Sequence, residues 1–266
     1  MRSLSLSWLE YDFLWEHFQL GSRPTLLDMN SHGHTFGERA QLRHEAWASL
    51  RAKGLGEPGH FDGWLADRLT VLARPRWAVD GRLHIDPNGP RVSVLAASAG
   101  RVAVRAVFTA DRLTLTGVEP ADLARAAVAV LPPCRSAHGP SIRLPADQLD
   151  SVAAGSRDDR YRLQDRLVAG GVRRDDARQI ALALSTVRRV GSFGLSHTPP
   201  RGKRRRADHV ITFLDAHDGQ RIGRYLFTRK PSNGGQWVTL VGTDSARLTI
   251  EISQLRHQLT DPSPAR

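Results

Sequence analysis

Two stretches of this chain repeat one pattern at a long interval, and the repeat limits the folds open to it. Residues 113–123 read LTLTGVEPADL and residues 238–248 read VTLVGTDSARL, so that Thr, Leu, Gly, Ala and Leu recur in register. Just upstream, RAVFT at 105–109 resembles RYLFT at 224–228. A repeat of such a long period indicates two copies of one structural unit.

In both copies, several short β-rich runs lead into a helix. The runs alternate apolar and polar residues, and turn residues such as His217-Asp218-Gly219 separate them. Pro120 suits the first turn of one closing helix, and leucines and isoleucine from Leu248 to Leu259 line one face of the other. The predicted strands are 77–85, 92–97, 102–108 and 113–116 in the first copy, and 187–195, 210–214, 222–228 and 237–241 in the second.

Helices also precede each set of strands. The string TFGE at 35–38 is a capping box, and the helix that it starts should end near Gly54. Apolar residues at helical spacing over 61–72 predict a second helix. In the second copy, Gly170-Gly171 ends one predicted helix, and Asp175-Asp176 occupies the first turn of the next, where negative charge suits the helix dipole.

The sequence therefore predicts an α+β fold. Strands joined by hairpin turns pair antiparallel, so the simplest arrangement is one central antiparallel sheet formed by two quasi-twofold-related halves and flanked by helices. We place the N-terminal half-repeat at 1–133, a connection at 134–157 and the C-terminal half-repeat at 158–266, together one globular domain. The connection is rich in Pro, Ser and Asp, with a short helix after Pro145.

The charge of the chain leaves two kinds of partner open. The formal net charge is +11, and the densest cluster is RGKRRR at 201–206, between two predicted strands. Such a loop can hold phosphates, attract an acidic protein, or simply be a solvated tip. An RNA-recognition sheet would interleave aromatic residues with the cations, and this loop contains none.

Candidate catalytic and metal-binding residues are few. His32-Gly33-His34 brings two imidazoles together, but no Cys is near and Glu38 belongs to the capping box. Asp215, His217 and Asp218 fall at a predicted turn, where groups are poorly desolvated. Cys134 has no neighbour in sequence that would lower its pKa. We predict no catalytic residue, no metal and no cofactor.

The sequence also predicts a cytoplasmic protein without a membrane span. No apolar run reaches the roughly 18 residues that a transmembrane helix needs. The first residues alternate Leu and Ser and then carry Glu10 and Asp12, unlike a signal peptide. The single cysteine fits a reducing compartment.

Several strings, taken in order, resemble the EspG family of type VII (ESX) secretion chaperones from actinobacteria. Their order and spacing, together with the duplication, carry the resemblance over almost the whole chain. The strings are Glu38-Arg39 with LRAKGL at 50–55, the strand 92–99 followed by Gly100, RRVG at 188–191, GRYL at 223–226 and WVTL at 237–240.

The resemblance implies a quasi-twofold α+β fold and a non-enzymatic function. Such a protein would bind the PPE tip of a PE–PPE heterodimer in the cytosol, keep it soluble and direct it to export, without a cofactor. A rival interpretation is a basic nucleic-acid-binding regulator, although nucleic acid is not the expected partner, and a third is an enzyme with an unrecognised cleft.

The resemblance also suggests where a partner would bind. Trp and Arg commonly dominate such interfaces, although Trp237 fits the core equally well. A homodimer also stays open, since a sheet edge or face can pair two chains. The candidate partner-binding residues are His84, Asp86, Arg91, Arg201, Lys203, Arg224 and Trp237.

Overall fold

The structure, a computed structural model, describes residues 2–153, 159–232 and 234–260. The chain divides into two compact units, which we describe separately. The first comprises Met1–Arg82, Pro90–Val130 and Ser196–Arg205, and the second Leu83–Gly89, Leu131–Leu195 and Arg206–Arg266. The half-repeat boundaries stay a prediction, and residues 154–157 of the predicted connection lie outside the described residues.

The first unit begins with a strand and three helices and continues through a run of strands to a last helix. A short 3-10 helix at Pro120–Asp122 leads into that last helix. Its elements are β1 (Ser3–Ser7), α1 (Trp8–His17), α2 (Phe36–Ala52), β2 (Gly56–Glu57), β3 (His60–Phe61), α3 (Gly63–Ala73), β4 (Trp77–His84), β5 (Val92–Ala99), β6 (Val102–Phe108), β7 (Arg112–Gly117) and α4 (Leu123–Val128).

The second unit runs through the same kinds of element. The last residues of strand β4 belong to the second unit, and the last residues of strand β9 belong to the first. Its elements are β8 (Ile142–Pro145), α5 (Ala146–Ala153), α6 (Arg160–Ala169), α7 (Arg174–Ser185), β9 (Arg189–His197), β10 (Arg205–Arg206), β11 (Ile211–His217), β12 (Ile222–Ser232), β13 (Gly235–Gly242) and α8 (Ser245–Thr260).

Both units therefore share one order: a strand, three helices, four long strands and a helix. In each, the opening strand pairs antiparallel with the last long strand, as in Leu4 opposite Leu115 and Leu144 opposite Val238. The strand order is β1-β7-β6-β5-β4 in the first unit and β9-β11-β12-β13-β8 in the second. The predicted α+β class is confirmed: within the described residues, the long strands belong to a large antiparallel sheet of 11 strands.

Each unit buries its own apolar core. In the first, Leu14 of α1 and Leu69 of α3 are buried in one cluster with Leu115 of β7. In the second, Leu167 of α6 and Ile180 of α7 share a cluster with Leu240 of β13. Burying such side chains stabilises each unit by about 1.5–3 kcal/mol per residue.

The helix boundaries follow the sequence signals closely. In α2, Thr35 Oγ1 accepts the N–H of Glu38 while the Glu38 carboxylate accepts that of Thr35, as the capping box predicts. The chain leaves this helix at Gly54, whose φ is +66°. In α8, Asp244 caps the start by accepting the N–H of Arg247 at 2.8 Å. None of the helices described is long and apolar enough to cross a membrane.

Two differences from the prediction lie in the first 75 residues. Phe61 lies in β3 rather than in the second helix, which begins at Gly63 after its N-cap Asp62. Residues 3–17, to which the sequence assigned no element, form β1 and α1. Glu10 in α1 is fully buried, which is tolerable because it accepts hydrogen bonds from Lys53 Nζ at 2.7 Å and Ser49 Oγ at 2.6 Å.

Candidate functional site

The second unit has an open depression at the N-terminus of α8, of about 700 Å³. Residues from distant parts of the chain meet there, and its lining includes both apolar and charged side chains. We call it the α8 depression. Its lining residues are Pro133, Cys134, Arg135, Arg189, Ile222, Asp244, Ser245 and Ala246.

A buried ion pair supports this depression. Arg224 and Asp215 have no exposed surface, and they form two hydrogen bonds, Nε–Oδ1 at 2.6 Å and Nη2–Oδ2 at 2.9 Å. Arg224 also donates to the carbonyl oxygen of Pro132 at 3.0 Å and to Ser245 Oγ at 3.2 Å. Arg224 thus links strand β12 to the start of α8.

The burial of Arg224 changes its place among the candidate binding residues. A side chain without exposed surface, with its donors engaged inside the unit, has nothing to offer a partner in this conformation. Arg224 therefore holds the segment 132–137 and α8 against the sheet, while the residues that it positions are the ones a partner can reach.

The segment 134–137 lies unusually close to the sheet face. The N–H of Arg224 bonds the carbonyl of Arg135 at 2.8 Å, and the N–H of Ala137 bonds the carbonyl of Arg224 at 3.0 Å. A Cβ placed on Gly223 would approach Ala137 Cα to 2.5 Å, and one on Gly242 would approach Ala137 O to 2.1 Å. Two glycines therefore permit the approach that brings Cys134 to the depression.

Cys134 is a half-buried free thiol in this depression. Burial, together with the nearby carboxylate of Asp215, raises the pKa of the Cys134 thiol. At neutral pH the group is therefore the weakly nucleophilic thiol rather than the thiolate. This agrees with the sequence-based view that Cys134 is unreactive.

The hairpin turn after β4 is tied to the depression through Arg189. Arg189 Nε donates to the carbonyl of Ile85 at 3.0 Å, and its Nη1 lies 3.6 Å from Asp215 Oδ2. His84 is half-buried and Asp86 is exposed on this turn. Asp86 accepts the N–H of Asn88 at 3.0 Å, which fixes the turn. Arg189, which lines the α8 depression, thus holds the carbonyl of Ile85, the residue between His84 and Asp86.

Trp237 lies on a different part of the second unit. It is half-buried on β13, and the guanidinium of Arg143 on β8 sits over its ring at 4.8 Å from the centroid. A cation over an indole face stabilises both side chains. Trp237 is therefore neither a plain core residue nor a bare surface one.

The remaining candidates belong to the first unit. Arg91, Arg201 and Lys203 are all exposed there. Residues 201–206 are all exposed, but Arg205 and Arg206 form strand β10, so only 201–204 lie in a loop as predicted. Their part in partner binding stays a prediction.

A second cavity, of about 520 Å³, opens in the first unit beside α1. Its lining includes Asp12, which is fully buried, pairs with Arg23 and lies 3.3 Å from Arg39 Nη1. Burial alone would raise the pKa of Asp12, but the N–H of His32 at 2.8 Å and the two guanidinium groups outweigh it and lower that pKa.

Of the two histidines at 32 and 34, His32 belongs to this cluster, whereas the N–H of His34 bonds to the Glu38 carboxylate at 2.9 Å. His32 Nδ1 lies 3.3 Å from Asp12 Oδ2, and its carbonyl accepts a bond from Arg39 at 2.7 Å. Sequence reasoning missed the cluster, although the acidic residues Glu10, Asp12 and Glu16 in a helix otherwise rich in apolar residues were a signal of ion pairs. Within the described residues, no group of three or more His, Cys, Asp or Glu is arranged to hold a metal ion.

The fold of this chain is similar to that of a protein of known structure. The chain is similar to the Mycobacterium tuberculosis type VII secretion system chaperone EspG5, whose structure was determined in complex with the PE25–PPE41 dimer. The TM-score is 0.74 with 14% identity, over 96% of this chain and 96% of that one, which establishes a shared fold. No curated protein matches. The model of the EspG family matches residues 7–254, and the chain therefore belongs to the EspG family.

Proposed function

We propose that this protein is a cytoplasmic chaperone of a type VII secretion system. It binds PE–PPE heterodimers through the PPE protein, keeps them soluble and directs them to export. The observation that carries the proposal is the family match over residues 7–254, joined to the fold shared with EspG5, a chaperone whose structure includes a PE–PPE dimer.

The open shape of the α8 depression supports a docking surface. Catalytic sites converge ionisable groups with displaced pKa values in a closed cleft. Here Arg189 is bonded to the Ile85 carbonyl, Asp244 caps α8 and Ser245 accepts from Arg224. These groups hold structure together rather than await a substrate, so we propose that the protein catalyses no reaction and needs no cofactor.

We propose that the partner covers the α8 depression and the turn bearing His84 and Asp86. The depression offers apolar surface from Pro133, Ile222 and Ala246 beside cationic Arg135. Apolar side chains on a PPE tip would be shielded there from self-association. Trp237 with Arg143 is proposed as a further contact on the same unit, and Arg91 as one on the first.

The alternative of a nucleic-acid-binding regulator gains no support from the family or the shared fold. Its distinguishing property would be an affinity for DNA or RNA that falls steeply with salt. That property can be measured on the same purified protein.

Co-expression tests the proposal. A PE–PPE pair encoded beside this gene should move from the insoluble to the soluble fraction when this chain is produced with it, and should co-purify on a tag carried by this chain. A matched control is a PE–PPE pair from a different secretion system. Recovery of this chain alone, with every neighbouring pair left insoluble, would overturn the proposal.

A further inference from the structure

The first unit carries a charged surface that the α8 depression does not use. Arg201, Lys203, Arg204 and Arg205 follow one another almost without interruption and are all exposed. We call residues 201–205 the basic arm. Arg76, also exposed, lies at its base, because the Arg76 carbonyl accepts the N–H of Thr198 at 2.8 Å.

The basic arm is held in a defined shape. Pro199-Pro200 stiffens its start. Gly202 adopts a φ of +153°, and a Cβ placed on this residue would lie only 2.9 Å from Pro199 Cγ. Arg204 Nη2 donates to Ser196 Oγ at 2.9 Å, which turns this one side chain back toward β9. The arm then enters β10, which pairs with β9.

The other cations of the arm point away and lack counter-charges. Side chains alternate along an extended chain, so Lys203 and Arg205 project on the side opposite Arg204. Among the described residues, Arg201, Lys203 and Arg205 form no ion pair, unlike exposed arginines elsewhere such as Arg229 with Asp150 at 2.6 Å. Holding like charges together without compensation is unfavourable unless a partner supplies the anions.

We propose that the basic arm binds an acidic segment of a protein partner. Carboxylates spaced two residues apart on an extended peptide are about 7 Å apart, which matches the spacing of Lys203 and Arg205. Single-stranded nucleic acid would need aromatic faces for stacking. Trp77, which follows Arg76 at the base of the arm, is covered by His197 at a centroid distance of 4.0 Å.

This inference removes Arg201 and Lys203 from the proposed PE–PPE contact. They form a second docking surface, on the other compact unit from the α8 depression. Binding at the basic arm does not depend on the binding of PE–PPE pairs, because it relies only on the charges and geometry of the arm.

The test compares two variants that lose the same charge. Arg201→Ala/Lys203→Ala/Arg205→Ala removes three cations from the arm. Arg101→Ala/Arg173→Ala/Arg178→Ala removes three exposed cations that are dispersed and form no ion pair with described residues. Binding of a fluorescent oligoglutamate peptide, with oligoglutamine as the neutral probe, is measured by anisotropy at two salt concentrations.

The wild type should bind oligoglutamate in a salt-sensitive manner and ignore oligoglutamine. The arm variant should bind about tenfold more weakly and the dispersed variant at most about twofold more weakly, as expected for several solvent-exposed ion pairs acting together. Because the substituted side chains are exposed, both variants should melt at the temperature of the wild type.

Other outcomes would overturn the inference. Equal losses in the two variants would mean that net charge alone attracts the peptide. If the arm bound a single-stranded oligonucleotide or phosphatidylserine vesicles more tightly than oligoglutamate, its partner would be a nucleic acid or a membrane and not an acidic protein. If the wild type did not bind oligoglutamate at all, the arm would not be a site for acidic segments. The arm variant should still co-purify with its PE–PPE pair. Loss of peptide binding and loss of PE–PPE binding are therefore measured independently.

Discussion

Arg224 is the largest side chain that is fully buried among the described residues, and its charge has to be balanced inside the protein. Replacing Arg224 with Ala would leave Asp215 buried without its main partner. We expect a loss of about 3 kcal/mol in the free energy of unfolding, measured by urea denaturation. Arg229→Ala, on the same strand but with an exposed partner, should cost less than about 1 kcal/mol. Equal effects would contradict the structural role of Arg224.

The thiol of Cys134 reports on the α8 depression. Because burial and Asp215 raise its pKa, alkylation by iodoacetamide should be slower than that of a free cysteine at neutral pH and should speed up as the pH rises. If a PE–PPE pair covers the depression, the same reaction should slow further in the complex. The rate is readable by mass spectrometry, since the chain has one cysteine. Fast alkylation at neutral pH would contradict the described environment.

The burial of Arg224 shows what the sequence lacked. Its strand was predicted, but Asp215 was expected at the hairpin turn. It lies instead on β11 opposite Arg224, with the four residues 218–221 connecting the two strands. What the pattern could not show is that the segment 132–137 and α8 cover that face of the sheet and bury the pair.

At the scale of elements, the buried carboxylate of Asp12 fastens the irregular segment 18–35 onto α1. Arg23 and His32 of that segment bond to Asp12, while Tyr11 and Trp15 of α1 bond to the carbonyls of Leu27 and Gly21. Asp12→Asn should increase amide hydrogen exchange across 18–35. Asp28→Asn, which changes an exposed carboxylate in the same segment, should not.

The same fastening should respond to acid. Because the pKa of Asp12 is lowered in the folded protein, its stabilisation is present above the unfolded value of about 3.9 and is lost as the pH falls below that value. Acid should therefore expose 18–35 to exchange in the wild type, once the intrinsic rates are corrected for pH. Protection that is unchanged in acid would contradict this role.

The long elements were predicted well because local rules specify them. Capping residues and leucine spacing specify α2 and α8, and period-two alternation specifies the strands. The opening strand β8 has only four residues and lies in a Pro-rich stretch, while α1 breaks its apolar stripe with Glu10 and Asp12. Their identity depends on tertiary partners, Trp237 to Leu240 for β8 and the ion pairs for α1.

The sequence repeat also aligned the strands imperfectly. Matching RAVFT with RYLFT equates Arg105 with Arg224. The ladders instead place Ala106 opposite Leu115 and Phe227 opposite Leu240, which shifts the match by two residues. A shift of two keeps each side chain on its own face of the sheet, so the apolar pattern survives while the residue equivalence does not.

At the scale of the molecule, the repeat predicted two copies of one unit, and both units do run through the same order of elements. The α8 depression was beyond prediction. Its lining comes from residues 133–135, 189, 222 and 244–246, which are far apart in sequence and meet only through the fold. A resemblance to a family can indicate that a partner binds, but the surface has to be read from structure.

The measurement that bears most directly on the proposed function is the molar mass of the co-purified complex by light scattering after size exclusion. One copy of this 29.4 kDa chain should be added to one PE and one PPE protein in a single peak, at a mass equal to the sum of the three. If this chain and a neighbouring, folded PE–PPE pair elute separately at their own masses when mixed at micromolar concentrations, the protein is not their chaperone.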